Sequence, residues 1–121
     1  MGLILADTNA LIYFLKGSDT MIPYLNETYA ISEITEIELL GIKNISKSDL
    51  LIRSNLIADC IIYPLTSEIK NIAIRIKQTH TLKIPDALIA ATSIYFNILL
   101  LTADKDFKKI HNLRLQLLNI P

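Results

Sequence analysis

The 121-residue chain contains one cysteine, three glycines and four prolines, and these shortages close off several classes of protein. With Cys60 alone no internal disulfide can form, and a domain of this length buries roughly two-thirds of its unfolded surface without one. A reducing, cytoplasmic setting is expected, with Cys60 an inert buried thiol in the apolar run Cys60-Ile61-Ile62-Tyr63. The glycines are Gly2, Gly17 and Gly41, so the glycine-rich turn of P-loop and dinucleotide folds is missing. An excess of either charge is missing too. Lys and Arg number 12, Asp and Glu 12, which leaves composition silent about a partner. The longest near-apolar run, Ala87 to Leu101, is interrupted by Thr92, Ser93 and Asn97 and falls short of the ~20 residues a membrane span needs. The apolar start has no basic leader and is broken by Asp7, so neither a targeting segment nor a membrane partner is expected.

What the chain does have is apolar residues, 51% against 20% charged, arranged as short runs that alternate with segments of helical period. One globular domain over residues 1–121 is expected. Strands are predicted at Leu3–Ala6, Tyr29–Ile31, Cys60–Tyr63, Ile98–Leu101 and Leu115–Leu118. Helices are predicted through Leu11–Leu15, Met21–Leu25, Glu33–Ile42, Asp49–Ile57, Ser67–Lys77, Pro85–Phe96 and Lys105–Ile110. Continuous apolar strands between helices imply an α/β fold, with a mostly parallel sheet covered on both faces. Ligands of such sheets collect at the carboxyl ends of the strands, so functional residues belong just after each strand.

Carboxylates stand at those places. Asp7 follows the first strand in Asp7-Thr8-Asn9, Asp104 follows the fourth in Thr102-Ala103-Asp104, and Asp86 opens a helix beside Pro85. Each alone also reads as ordinary helix-start chemistry. Glu38 falls at helical spacing with Ile34, Gly41, Ile42 and Ile45, and a carboxylate on an apolar stripe must be paired, protonated or bound to a cation. Leu39 and Leu40 then face outward, which suggests a surface for self-association. Two bare carboxylates ~4 Å apart repel by about 4 kcal/mol at an effective dielectric of ~20, so several together call for a cation. His80 and His111 are isolated and expected at the surface. Oxygen-only ligands suit Mg²⁺ or Mn²⁺, and an oxygen-held metal centre is suited to phosphoryl chemistry. Thr8, Asn9, Thr35 and Thr102 are small polar groups placed to orient ligands and water. Lys105, Lys108 and Lys109 are candidates to hold phosphates, or equally a solvated basic face.

Four segments together resemble one family. Asp7-Thr8-Asn9 is similar to the opening of PIN domains, and Thr35-Glu36-Ile37-Glu38-Leu39-Leu40-Gly41 to their Thr-x-x-Glu-Leu-x-x-Gly helix. Ile84-Pro85-Asp86-Ala87-Leu88-Ile89-Ala90-Ala91-Thr92 is very close to the third motif, and Leu101-Thr102-Ala103-Asp104-Lys105-Asp106-Phe107 resembles the fourth. The motifs occur in family order and span nearly the whole chain. The resemblance implies a three-layer α/β/α sandwich and a Mg²⁺- or Mn²⁺-dependent endoribonuclease. Its VapC branch implies the toxin of a toxin–antitoxin pair, usually a homodimer, inhibited by a cognate antitoxin. Carried over by motif, Asp7 and Asp86 become the principal metal ligands, and Glu38 and Asp104 complete the catalytic set. Asp106 either supports the set or shares the role of Asp104.

Rivals fail on named residues. A haloacid-dehalogenase-type phosphatase needs an Asp where Asn9 stands, and a receiver domain needs an acid where Pro64-Leu65-Thr66 stands. The alternative from another class is a PIN-like scaffold that binds RNA or protein without turnover.

Overall fold

In the computed structural model, which describes residues 2–120, the chain folds around β1 (Leu3–Ala6). Met1 and Pro121, the ends of the expected domain, lie outside the described residues. β1 pairs in parallel with β2 (Thr28–Ser32) on one side and β4 (Leu99–Thr102) on the other. β3 (Ile61–Tyr63) extends the sheet beyond β2, and β5 (Leu115–Leu117) beyond β4, both in parallel. The sheet therefore has five strands in the order β3-β2-β1-β4-β5.

The apolar runs explain the layers. Successive strand residues point to opposite faces, so an all-apolar strand feeds two cores. Ile4 and Ala6 join Leu11, Met21, Ile31 and Leu39 on one face, and Leu5 joins Ile69, Ala73, Ala90 and Leu100 on the other. The first face is covered by α1 (Thr8–Leu15), α2 (Glu33–Leu40) and α3 (Lys47–Ala58). The second is covered by α4 (Ser67–Thr79) and α5 (Ile84–Phe96). This is the expected α/β/α sandwich, with a sheet that is wholly parallel. The small Ala87, Ala90 and Ala91 are buried along α5, which ends at Asn97 in the left-handed conformation that closes helices (φ 53°).

Several local expectations need correction. α2 stops at Leu40 with Gly41 as its cap, so Ile42 and Ile45 are not on the helix and the stripe that included Glu38 does not exist. The buried face of α2 is Thr35 and Leu39, and Leu39 has no solvent exposure at all. β3 is an edge strand, not one covered on both faces: Ile61 and Ile62 are 45% and 36% exposed. Cys60 precedes that strand and is only half-buried, its Sγ donating to Leu56 O at 3.4 Å. The segments at Asp19–Tyr24 and Lys105–Lys109 are short 3-10 helices.

β1 and β4 are adjacent in the sheet, yet the chain leaves them in opposite directions, toward β2 and toward β5. Such a switch point opens a crevice at the carboxyl ends of the two strands. Asp7 is the first residue after β1, and Asp104 is the second after β4.

Candidate functional site

Asp7 is 4% exposed and occupied on both oxygens. Its backbone is extended and its Oδ1 accepts the Ala10 N–H at 2.8 Å, so it caps α1. Its Oδ2 accepts a hydrogen bond from the Thr102 hydroxyl on the neighbouring strand. The same Thr102 oxygen accepts the Asp104 N–H at 3.0 Å, which ties the two strand ends together through one fully buried hydroxyl. Asp104 caps the short helix after β4, its Oδ1 accepting the Asp106 N–H at 2.8 Å.

The other two acids arrive on helices. Asp86 lies in the first turn of α5, with Pro85 beside it where a missing N–H costs nothing. Glu38 lies in the last turn of α2 and is exposed; it is held by the Thr8 hydroxyl, which donates to Oε1 at 2.6 Å. Thr8 also reaches the Thr35 hydroxyl at 3.4 Å, so Glu38, Thr8 and the buried Thr35 form one chain of contacts.

These residues surround two adjoining spaces. Asp7, Thr8, Asn9, Glu38 and Asp86 line a cavity of about 100 Å³. Asp86 also lines a larger one of about 420 Å³ with Asp104 and Asp106. Asp86 is thus the wall common to both. Thr35 and Thr102 stand behind the acids and are fully buried. Of the lysines expected near the site, Lys109 pairs with Asp106 at 3.9 Å, while Lys105 and Lys108 line neither space. The larger cavity is lined instead by Lys77 and Lys83, which sequence reasoning passed over. The signal for Lys83 was its place immediately before the third motif, three residues ahead of Asp86; Lys77 had none.

The electrostatics record the crowding. Burial pushes the Asp7 carboxyl from 3.8 up to about 6. The hydrogen bonds from Thr102 and Ala10 oppose this, and the charges of Asp86 and Asp104 add to it. The Asp86 carboxyl is also raised, first by burial and then by Asp104 and Glu38; Lys83 opposes the shift and Asp106 adds to it. Among the described residues no three such side chains form a ready-made cage for a metal ion. Mg²⁺ needs no such cage, because it commonly binds through one or two carboxylates and keeps several waters. An all-oxygen set in which burial and neighbouring charge raise the carboxyls of Asp7 and Asp86 fits that kind of ion.

Known proteins share this architecture. The chain superposes on VapBC2 from Rickettsia felis, solved bound to a promoter DNA fragment, with a TM-score of 0.80 and 25% identity. That match covers 97% of this chain and 99% of the other. It is also similar to a toxin–antitoxin complex from Klebsiella pneumoniae (TM-score 0.77, 28% identity, 91% and 94% covered). VapBC from Salmonella typhimurium, at 18% identity and a TM-score of 0.83 over 96% and 98% of the two chains, shares the fold. No curated protein sequence matches the chain. The family profile of the PIN domain matches residues 4–113, and the chain belongs to the PIN-domain family.

Proposed function

We propose that this chain is a single-domain, divalent-metal-dependent endoribonuclease, the toxin of a VapC-type toxin–antitoxin pair. The observation that carries the reading is the gathering of acids from four separate segments about Asp86 at the switch point of a PIN sheet. The likeness to a toxin–antitoxin complex supports the biological half, in which a cognate antitoxin holds the enzyme inactive. Among the described residues no helix is long and apolar enough to cross a membrane. The reading carries with it a cytoplasmic homodimer, as the VapC resemblance implies.

In this reading Asp7 and Asp86 are the principal ligands for Mg²⁺ or Mn²⁺, with Glu38 and Asp104 completing the set. A bound cation would neutralise the acids, polarise the scissile phosphodiester and make water a better nucleophile. The protein's part is orientation. Thr102 and the α1 N-terminus fix Asp7 before any substrate arrives, and Thr8 fixes Glu38. Asn9 and Asp106 flank the acids, and Thr35 backs Thr8 from the core.

The test is cleavage of RNA by purified protein with Mg²⁺ or Mn²⁺ and with excess chelator. Cleavage only with metal is expected; undiminished cleavage in chelator overturns the mechanism. The second reading is a non-catalytic PIN-like module that binds RNA or protein. It predicts no cleavage under any condition.

A further inference from the structure

The cavity of about 420 Å³ beside the acid cluster carries both signs of charge. Asp86, Asp104 and Asp106 contribute carboxylates, while Lys77 and Lys83 contribute ammonium groups and Thr81 a hydroxyl. A polyanion entering the neighbouring space past Asp86 meets several like charges, and these two lysines are the cations lining its route. Lys77 is anchored, with Nζ donating to Leu82 O at 2.5 Å. Lys83 directly precedes α5, is exposed, and among the described residues has no acidic partner within salt-bridge distance. Asp106, by contrast, has its own cation in Lys109. A compact ammonium on a flexible stem suits a phosphate oxygen whose exact position varies from one nucleotide to the next.

We propose that Lys83, supported by Lys77 and Thr81, holds the phosphate of a single-stranded RNA adjacent to the one at the acid cluster. The strand then passes over Asp86 from one cavity to the other. This rests on the nuclease reading, but its test separates the two.

The experiment measures anisotropy of a fluorescein-labelled oligouridylate with the full chain in chelator, across about a tenfold range of salt. Lys83→Met is expected to raise Kd about three- to tenfold and to make the slope of log Kd against log salt shallower by about 0.7, the loss of one phosphate contact. Lys83→Arg should keep the wild-type slope, and Lys83→Gln should behave as Lys83→Met; all three should melt as wild type does. With Mg²⁺, the cleavage defect of Lys83→Met should fall in KM and leave kcat unchanged, because the contact is made equally in ground and transition states. A Lys83→Met protein with wild-type Kd and slope overturns the proposal, as does a wild-type protein that fails to bind the strand. If wild type never cleaves yet binds with a Lys83-dependent slope, the nuclease reading falls and the phosphate site stands. If it cleaves and Lys83→Met changes neither slope nor KM, the phosphate site falls alone.

Discussion

Replacing Asp7 with Asn keeps the shape of the side chain and removes one charge from a carboxyl group that is 4% exposed. A folded-state value of about 6 against an ordinary 3.8 means that ionising this group at neutral pH opposes folding by about 3 kcal/mol. The sign is that of a raised acid. The folded protein binds the proton more tightly, so the penalty is fully present at pH 7 and fades as pH falls through about 6 toward 3.8. Asn avoids the penalty and can still cap α1. It accepts from Thr102 less well than a carboxylate, which returns about 1 kcal/mol. The metal-free variant should therefore be more stable than wild type by about 2 kcal/mol at pH 7, or about 8 °C in Tm for a chain of this size. Thermal and urea melts in chelator at pH 7 and near pH 4 read both the gain and its disappearance. On the ligand role proposed for Asp7, any stabilisation of wild type by saturating Mg²⁺ should shrink in the variant. A metal-free variant no more stable than wild type, with its response to Mg²⁺ intact, would refute the reasoning and leave Asp7 as a helix cap alone.

Thr102→Val removes the buried hydroxyl that donates to Asp7 and accepts from Asp104, and should cost about 1–3 kcal/mol in a urea melt. Because that hydrogen bond lowers the Asp7 value, its loss should extend the pH-dependent penalty to higher pH. The same change should weaken binding of Mn²⁺ about 10- to 100-fold by titration calorimetry; unaltered affinity would show that Asp7 needs no such support. Gly41→Ala places a Cβ 2.6 Å from Ile37 O, so the end of α2 beside Glu38 must shift, with an expected loss of about 1–3 kcal/mol on denaturation. Wild-type stability in that variant would mean the helix end yields freely. Sedimentation should give a dimer, in keeping with the exposed Ile37, Leu51 and Ile52. Monomer alone at micromolar concentration, with and without metal, would count against it.

The sheet was readable because its strands are short, mostly apolar runs bounded by polar or turn residues. Leu3–Ala6 could hardly be anything but a central strand, and the position of Asp7 followed from it. β3 was misjudged for the same reason: Ile61 and Ile62 read as core, yet the strand is three residues long and lies at the sheet's edge. The facing of Glu38 was wrong because helical spacing was counted past Gly41, where the helix has already ended. The contact between Thr8 and Glu38 spans 30 residues, and no periodicity within either segment encodes it. Nearness to Asp104 along the chain points to Lys105, Lys108 and Lys109 and not to Lys77 and Lys83, which lie far from it in sequence. Those in its cavity come from the end of α4 and the turn before α5.

The two outer strands also constrain how copies of the chain can meet. β3 and β5 are each three residues long, which leaves few free backbone groups to template another strand. Beyond β3, Pro64 has no N–H to offer, and the Leu65 N–H is already given to Glu33 Oε1 at 3.1 Å. A sheet rich in isoleucine and leucine is thereby kept from growing sideways into a fibre. Edges this short give a second copy little backbone to pair with, which favours contact through side chains on the helical faces.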